Sequence, residues 1–387
     1  MRYVSPMSMP KATTLESSES VTVIDGGVAV AVQRGDRSRQ IPARWLRLLA
    51  SDSANVDPVS GQRAYESVAL PSMIRVRSAS FCEEQGGWEV RFEGETSPVL
   101  IEVDRLLGCE ETEEIKGPER IPFSSADQAM RAVDYENLEA PAALRSFLGT
   151  LFRCGYARVR DVPANEKELA RFAKRLGHIG GSSGLSTFDE VVAAGDASGN
   201  NSSRGSAPHT DGAFRDPVPS FHVQLCVKDS TESGGDVYVV DGMTAAATLA
   251  AEAPVAAAEL ARWPMLFRYR DAKSDLRRAV PLFETGPDGA LQRITFDDRA
   301  AVDFICPDER LAICADAYDQ LARIVLREGL QNRFRMQVGD LLVTDNERVL
   351  HGRRPVTGAG TRQLACCYLD RCDLLSTWRR ARSGELD

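Results

Sequence analysis

GDLLVTDNERVLHGRRP, residues 339–355, opens on a Gly-Asp turn, continues as an apolar run over 341–344 and ends on Leu350, His351, Gly352 and Arg353. An apolar run this short, bounded by turn formers, predicts a buried strand leading into a histidine. Arg362 follows eleven residues after that histidine, on a stretch (361–370) that predicts a last strand. Further strands are expected at 221–227 and 236–240, with Gly234-Gly235 turning between them, and at 265–270, 293–296 and 333–338. Strands that pair across two sheets of a jelly roll bring distant residues together. The distant partner of His351 is then His209-Thr210-Asp211.

Two imidazole nitrogens and one carboxylate on one face of an octahedral metal leave three positions open, the ligand set of non-haem Fe(II) oxygenases. A 2-oxo acid occupies two of the open positions and dioxygen the third. A second carboxylate on that co-substrate needs a counter-charge, and Arg362 offers a planar guanidinium that grips a carboxylate with two parallel hydrogen bonds. His-x-Asp alone is a weak signal and fits a solvated loop. Its conjunction with a histidine behind a strand and an arginine at fixed offset points to one iron site. A zinc hydrolase on a similar barrel is the rival metalloenzyme, but a hydrolase has no need of the carboxylate clamp.

The stretches HTDGAF (209–214), SGGDVYVVDG (233–242), GDLLVTDNERVLHGRRP (339–355) and TRQLACCYLD (361–370) together resemble the gamma-butyrobetaine hydroxylase branch of the Fe(II)/2-oxoglutarate dioxygenases, which includes trimethyllysine hydroxylase and the taurine dioxygenase relatives. The resemblance runs from about residue 118 to the end. It implies a double-stranded β-helix core, His209, Asp211 and His351 as iron ligands and catalytic centre, Arg362 as the 2-oxoglutarate anchor, and Fe(II), 2-oxoglutarate and O2 as cofactor and co-substrates. It also implies an aromatic cage for a trimethylammonium group, whose positions here are Gly184, Phe188, Asn201 and Tyr368. Only two of these are aromatic, so the expected substrate is a small polar zwitterion other than gamma-butyrobetaine. RITFDD, residues 293–298, stands where the family carries RINFNN-like polar residues, so Asp297 or Asp298 is expected near a cationic or hydroxyl-bearing group. A true gamma-butyrobetaine or trimethyllysine hydroxylase is one alternative. A non-catalytic relative is another, although a silent site has no need of all three ligands and Arg362.

With 387 residues the chain exceeds one ordinary domain. The expected division is a disordered tail over 1–20, a small N-terminal β domain over 21–115 and a dioxygenase domain over 116–387. The fold class is mainly β with flanking helices. The N-terminal strands are expected in VTVIDGGVAVAV, SMIRVRS and WEVRFEGETSPVLIEV. That domain resembles its counterpart in the butyrobetaine branch through Arg44-Trp45-Leu46-Arg47 and Gly61-Gln62-Arg63. The cysteines and histidine that bind structural zinc there have no counterpart in this segment, so zinc is expected to be absent. A net charge of −9 with interspersed signs argues against nucleic acid or anionic membrane as partner. The nine cysteines form no Cys-x-x-Cys pair and read as reduced side chains. Without an apolar leader or span, a cytoplasmic homodimer acting on a small molecule is expected.

Between these landmarks, helices are expected over 135–152, over 166–176 behind an Asn165/Glu168 capping box, over 307–329, and as an Ala-rich pair broken at Pro254. Residues 180–208, rich in Gly, Ser and Asn, lie directly before His209 and read as a lid or binding loop. His222 and His178 fit neither ligand position and read as structural histidines.

Overall fold

The computed structural model of the chain describes residues 19–106, 117–127, 132–179, 190–193, 205–231, 233–287, 289–357 and 360–384. Gly184, Phe188 and Asn201, most of the expected lid and the expected tail up to residue 18 lie outside the described residues. Two compact units divide the chain, Met1–Thr112 and Glu113–Asp387.

The first unit holds two antiparallel three-stranded sheets. One is β1 (Glu19–Ile24), β2 (Ala29–Arg34) and β3 (Arg37–Pro42), the other β4 (Val76–Cys82), β5 (Gly87–Phe92) and β6 (Val99–Glu102). Val30, Val32, Ile41, Leu46, Val90, Phe92 and Ile101 form their core. Strand β3 escaped prediction because its sequence, RSRQIP, buries Ile41 alone.

In the second unit the strands are β7 (Val133–Asp134), β8 (Tyr156–Arg160), β9 (Glu190–Ala193), β10 (Ser206–His209), β11 (Phe221–Asp229), β12 (Ser233–Gly234), β13 (Val237–Asp241), β14 (Met265–Arg270), β15 (Asp275–Val280), β16 (Phe283–Thr285), β17 (Leu291–Ile294), β18 (Ala301–Phe304), β19 (Gln331–Phe334), β20 (Leu341–Asp345), β21 (Val349–Arg353), β22 (Val356–Thr357) and β23 (Thr361–Leu369). A four-stranded sheet in the order β10-β21-β13-β19 and a six-stranded sheet in the order β7-β8-β20-β11-β23-β9 are the two sheets of a jelly roll.

Strand alternation sorts the side chains of both sheets. On β11 and β23, Phe221, Val223, Leu225, Ala365, Cys367 and Leu369 pack outward against the helices Pro141–Cys154, Glu166–Leu176 and Arg371–Ser383. Cys226, Leu364 and Cys366 join Val237, Val239, Leu342 and Val349 in the other cluster, between the sheets. By the same period Arg362, Tyr368 and His222 belong to that interior face. Val240 and Leu350 cover the opposite side of the smaller sheet with the helices Gly242–Glu252, Pro254–Arg262 and Asp308–Val325. The Ala-rich pair thus lies outside the barrel.

Local signals were legible where they are self-contained. Asn165 accepts a hydrogen bond from the Glu168 N–H at the start of helix Glu166–Leu176. The helix expected over 135–152 is instead a 3-10 turn, Tyr135–Glu139, followed by a helix beginning at Pro141, because proline suits the first helical position. The helix expected over 307–329 runs from Asp308 to Val325. The C-terminal helix Arg371–Ser383 was not foreseen. Among the described residues no helix is long and apolar enough to cross a membrane.

Candidate metal and co-substrate site

His209 ends the edge strand β10, and its register partner on β21 is His351, so pairing alone sets the two rings 4.9 Å apart. Gly352 permits that pairing: a Cβ there would stand 2.6 Å from the Ser206 carbonyl oxygen and from Cε2 of Tyr238. Beyond His209 the chain is locked by Thr210, whose N–H donates to the Phe296 carbonyl at 2.6 Å while its Oγ1 accepts the Phe296 N–H at 3.1 Å. Asp211 is then turned back, with Oδ1 3.1 Å from His209 Nε2 and Oδ2 3.4 Å from His351 Nε2. One ligand atom from each of His209, Asp211 and His351 lies within 4.8 Å of the others. His209 Nδ1 is 2.8 Å from the Ala207 carbonyl, which fixes the proton there and leaves Nε2 as the ligand atom.

Asn346, in the turn between β20 and β21, holds the backbone of Asp211 as a strand partner would. Its Oδ1 accepts from the Asp211 N–H at 2.8 Å, and its Nδ2 donates to the carbonyls of Asp211 at 3.0 Å and Pro219 at 2.8 Å. Tyr368 Oη donates to Asp211 Oδ2 at 3.2 Å, and His222 Nδ1 stands 3.0 Å from the same oxygen. His222 is a strand histidine outside the His209-Asp211-His351 cluster, as expected, and its ring also walls the site. Sequence spacing gave no hint of this, since the contact needs β11 and β23 paired with His222 opposite Tyr368.

Charge in the cluster follows from these contacts. Burial opposes ionisation of Asp211, but His351, His222 and His209 outweigh it and hold its carboxyl well below the usual range. Burial lowers His351 to about 4 against the pull of Asp211, so its imidazole is neutral at pH 7 and can act as a ligand. For His209 the neighbouring Asp211 overcomes burial and raises the value. Burial, reinforced by Asp211, keeps the Tyr368 phenol protonated.

Arg362 is fully buried on β23, opposite Asp229 of β11 and Val192 of β9. Its Nη1 donates to the Gly235 carbonyl, while Nε and Nη2 have no hydrogen-bond partner. Gly235, at φ +72°, gives way to the guanidinium: a Cβ would come within 2.8 Å of Nη1. Buried donors left unpaired are costly, and the group that fits two adjacent guanidinium donors is a carboxylate. The donor set and this fork of two unpaired donors suit a ferrous ion and a dicarboxylic 2-oxo acid.

Residues 120–368 match the taurine catabolism dioxygenase TauD, TfdA family. The chain belongs to this family of Fe(II)/2-oxoglutarate-dependent dioxygenases. Among curated relatives of this TauD/TfdA member is the gamma-butyrobetaine dioxygenase of Pseudomonas sp. (strain AK-1), 32% identical over 225 residues, which are 57% of this chain and 58% of that protein. The mitochondrial trimethyllysine dioxygenase of Bos taurus is 28% identical over 258 residues, 64% of this chain and 60% of that protein. The chain thus spans about three fifths of the length of these relatives. A taurine dioxygenase structure from Burkholderia xenovorans aligns at 17% identity and TM-score 0.46, covering 65% of this chain and 89% of that one.

Of the residues expected around the substrate in this TauD/TfdA chain, Tyr368, Asp297 and Asp298 are described. Tyr368 stacks on His222 at 5.0 Å, so one face of its ring is already covered. Asp297 is buried in the turn after β17 and contributes to the field at His209, whereas Asp298 is exposed.

Proposed function

We propose that the protein is an Fe(II)/2-oxoglutarate-dependent dioxygenase that hydroxylates, or otherwise oxidises at carbon, a small polar zwitterion of amine, amino acid or betaine type. Hydroxylation consumes substrate, O2 and 2-oxoglutarate and yields alcohol, succinate and CO2. His209, Asp211 and His351 hold the metal and Arg362 the distal carboxylate of the co-substrate. Bound iron supplies the activation of dioxygen against an unactivated C–H bond. This chain's residues fix ligand geometry and exclude water from the interior between the sheets. The observation that carries the proposal is the buried Arg362 fork with Nε and Nη2 unpaired in a barrel that also carries the His209-Asp211-His351 cluster.

For the substrate, we assign Phe188, Asn201, Tyr368 and Asp297 to its pocket. A cage with Gly184 and Asn201 in place of rings, and with one face of Tyr368 against His222, offers a quaternary ammonium little π-surface. The relatives' names favour gamma-butyrobetaine or trimethyllysine hydroxylation as the second reading. Succinate and product formation measured with gamma-butyrobetaine, trimethyllysine and a panel of amino acids, betaines and aminophosphonates decides between them. Efficient carnitine formation would refute the zwitterion reading in favour of the second. Absence of Fe(II)- and 2-oxoglutarate-dependent succinate with every substrate would refute both.

We further infer that residues 21–115 form a zinc-free β domain, and that the protein works as a cytoplasmic homodimer. Sedimentation of the purified chain tests the assembly.

A further inference from the structure

We propose that Gln224 is a further binding residue for the co-substrate, whose side-chain amide donates to the carboxylate at the 2-oxo end. The inference rests on the Fe(II)/2-oxoglutarate reading of the site and adds a donor that neither Arg362 nor the metal ligands supply.

Gln224 stands on β11 between His222 and Cys226, opposite Leu342 of β20 and Cys366 of β23. Its chain neighbours Val223 and Leu225 pack outward against the helices, whereas Cys226, Leu342 and Cys366 belong to the cluster between the sheets. Strand alternation therefore aims Gln224 into the barrel. The residue is only 8% exposed, and among the described residues its amide has no hydrogen-bond partner. Buried amides are ordinarily paired, so an inward one without a protein partner points to a ligand.

Two strands fix where this amide lies. On β11, His222 Nδ1 stands 3.0 Å from Asp211 Oδ2 on one side of Gln224. On the other side is Cys226, whose thiol burial pushes up while the nearby Arg362 guanidinium pulls against it. On β13, Val239 is the register partner of His351, and Gly235, just before the strand, accepts from Arg362. Gln224 therefore lies midway between the metal cluster and the guanidinium on the larger sheet, as the apolar Val237 does on the smaller. A dicarboxylic 2-oxo acid held at both ends spans this interval. The Arg362 fork serves its distal carboxylate. A metal takes the keto oxygen and one oxygen of the adjacent carboxylate, which leaves the second oxygen in need of a donor in an interior lined by Val237, Val239, Leu342 and Leu364. Burying that oxygen unpaired is costly. The Gln224 amide is the complementary group, since it has N–H donors to give and no acceptor of its own.

The test uses the full-length protein, loaded anaerobically with Fe(II), titrated with 2-oxoglutarate and followed by the charge-transfer absorption of that complex. Gln224→Met keeps the length of the side chain without its donor, and Gln224→Leu fills the same wall with a second shape. Each should raise the half-saturating 2-oxoglutarate concentration about tenfold or more, the loss of one hydrogen bond to a charged group. Each should also shift the absorption maximum, because the lost donor acted on the group that carries it, while Fe(II) affinity holds. The metal-free variants should unfold at the same urea concentration as wild type or a higher one, since an unpaired amide is exchanged for an apolar group. A purely structural glutamine would behave in reverse, so a lower urea midpoint with 2-oxoglutarate affinity intact would overturn the proposal. Unchanged affinity and an unshifted maximum in either variant that folds would overturn it as well. Absence of the charge-transfer absorption in the wild type would overturn the parent reading and this inference with it.

Discussion

Asp211 is the residue on which the most separate parts of the chain converge: Asn346 holds its backbone, while His209, His222, His351 and Tyr368 surround its carboxylate. Replacing Asp211 by Ala removes the anionic ligand, so iron content and turnover should both be lost; full iron content in that variant would sink the assignment. Asn346→Ala leaves all three ligands in place but frees the loop, and Fe(II) affinity should fall about 10- to 100-fold, as for other groups that orient ligands. Metal titration of the folded variant checks this. Arg362→Met should raise the half-saturating 2-oxoglutarate concentration about tenfold or more, the loss of a charge-assisted pair, while iron affinity is retained. That His209, Asp211 and His351 would cluster was legible in the sequence, as was the candidate Arg362, because these residues sit in short motifs. The contacts of Asn346 and His222 with Asp211 were not, since they join separate strands and turns and neither spacing nor period encodes them.

Elements are held by a second polar cluster away from the metal. Arg348 and Asp241 form a buried two-pronged pair at 2.9 and 3.0 Å, and Arg348 also donates to the carbonyls of Arg153 and Ile121, each at 2.7 Å. Asp241 in turn accepts from the N–H groups of Phe123 and Met243, so one carboxylate joins the start of the helix Gly242–Glu252 to the segment entering the barrel. Arg348→Met leaves that carboxylate buried and unpaired and should cost about 3–5 kcal/mol, read from urea unfolding. Asp229 offers a pH test on the strand facing Arg362. Burial opposes its ionisation, but bonds from Thr231 and the charges of Arg335 and Arg362 prevail and depress its value. A depressed carboxylate contributes stability above its unfolded value of about 3.9, lost as pH falls through the folded value. The stability gap between wild type and Asp229→Asn should accordingly shrink on acidification from about pH 6 to about pH 3. Element boundaries were legible where a cap or proline marks them, as at Asn165 and Pro141. Polar β3 gave no such signal. The final helix did carry one, in Leu374, Leu375 and Trp378 on its buried side.

For the whole molecule, most strands and Gly turns were legible because alternation and turn chemistry are local properties that the sheets preserve, whereas the barrel of two sheets was what the family resemblance implied. What occupies its pocket depends on side chains from β11, β23, the turn after β17 and residues before His209, and so lies beyond any local pattern. The first unit buries Val30, Val32, Ile41, Trp88, Val90, Phe92 and Ile101 in one cluster. Packing of that kind needs no metal cross-link, and the purified chain should contain no stoichiometric zinc by elemental analysis. Persistent zinc whose chelation unfolds residues 21–115 would contradict this.

Strand β10 is four residues long and forms the open end of its sheet, attached to β21 through a register irregularity. Short terminal strands fray first. Because His209 closes this strand, Asp211 follows it and His351 stands on its neighbour, an ion bound by all three is also a rivet across the sheet margin. Mass action then couples metal supply to durability: free Fe(II) at a hundred times its dissociation constant adds about 2.7 kcal/mol to folding. Chelation should lower the melting temperature, and amide hydrogen exchange should quicken first over 205–212, well before the helix-covered sheet responds.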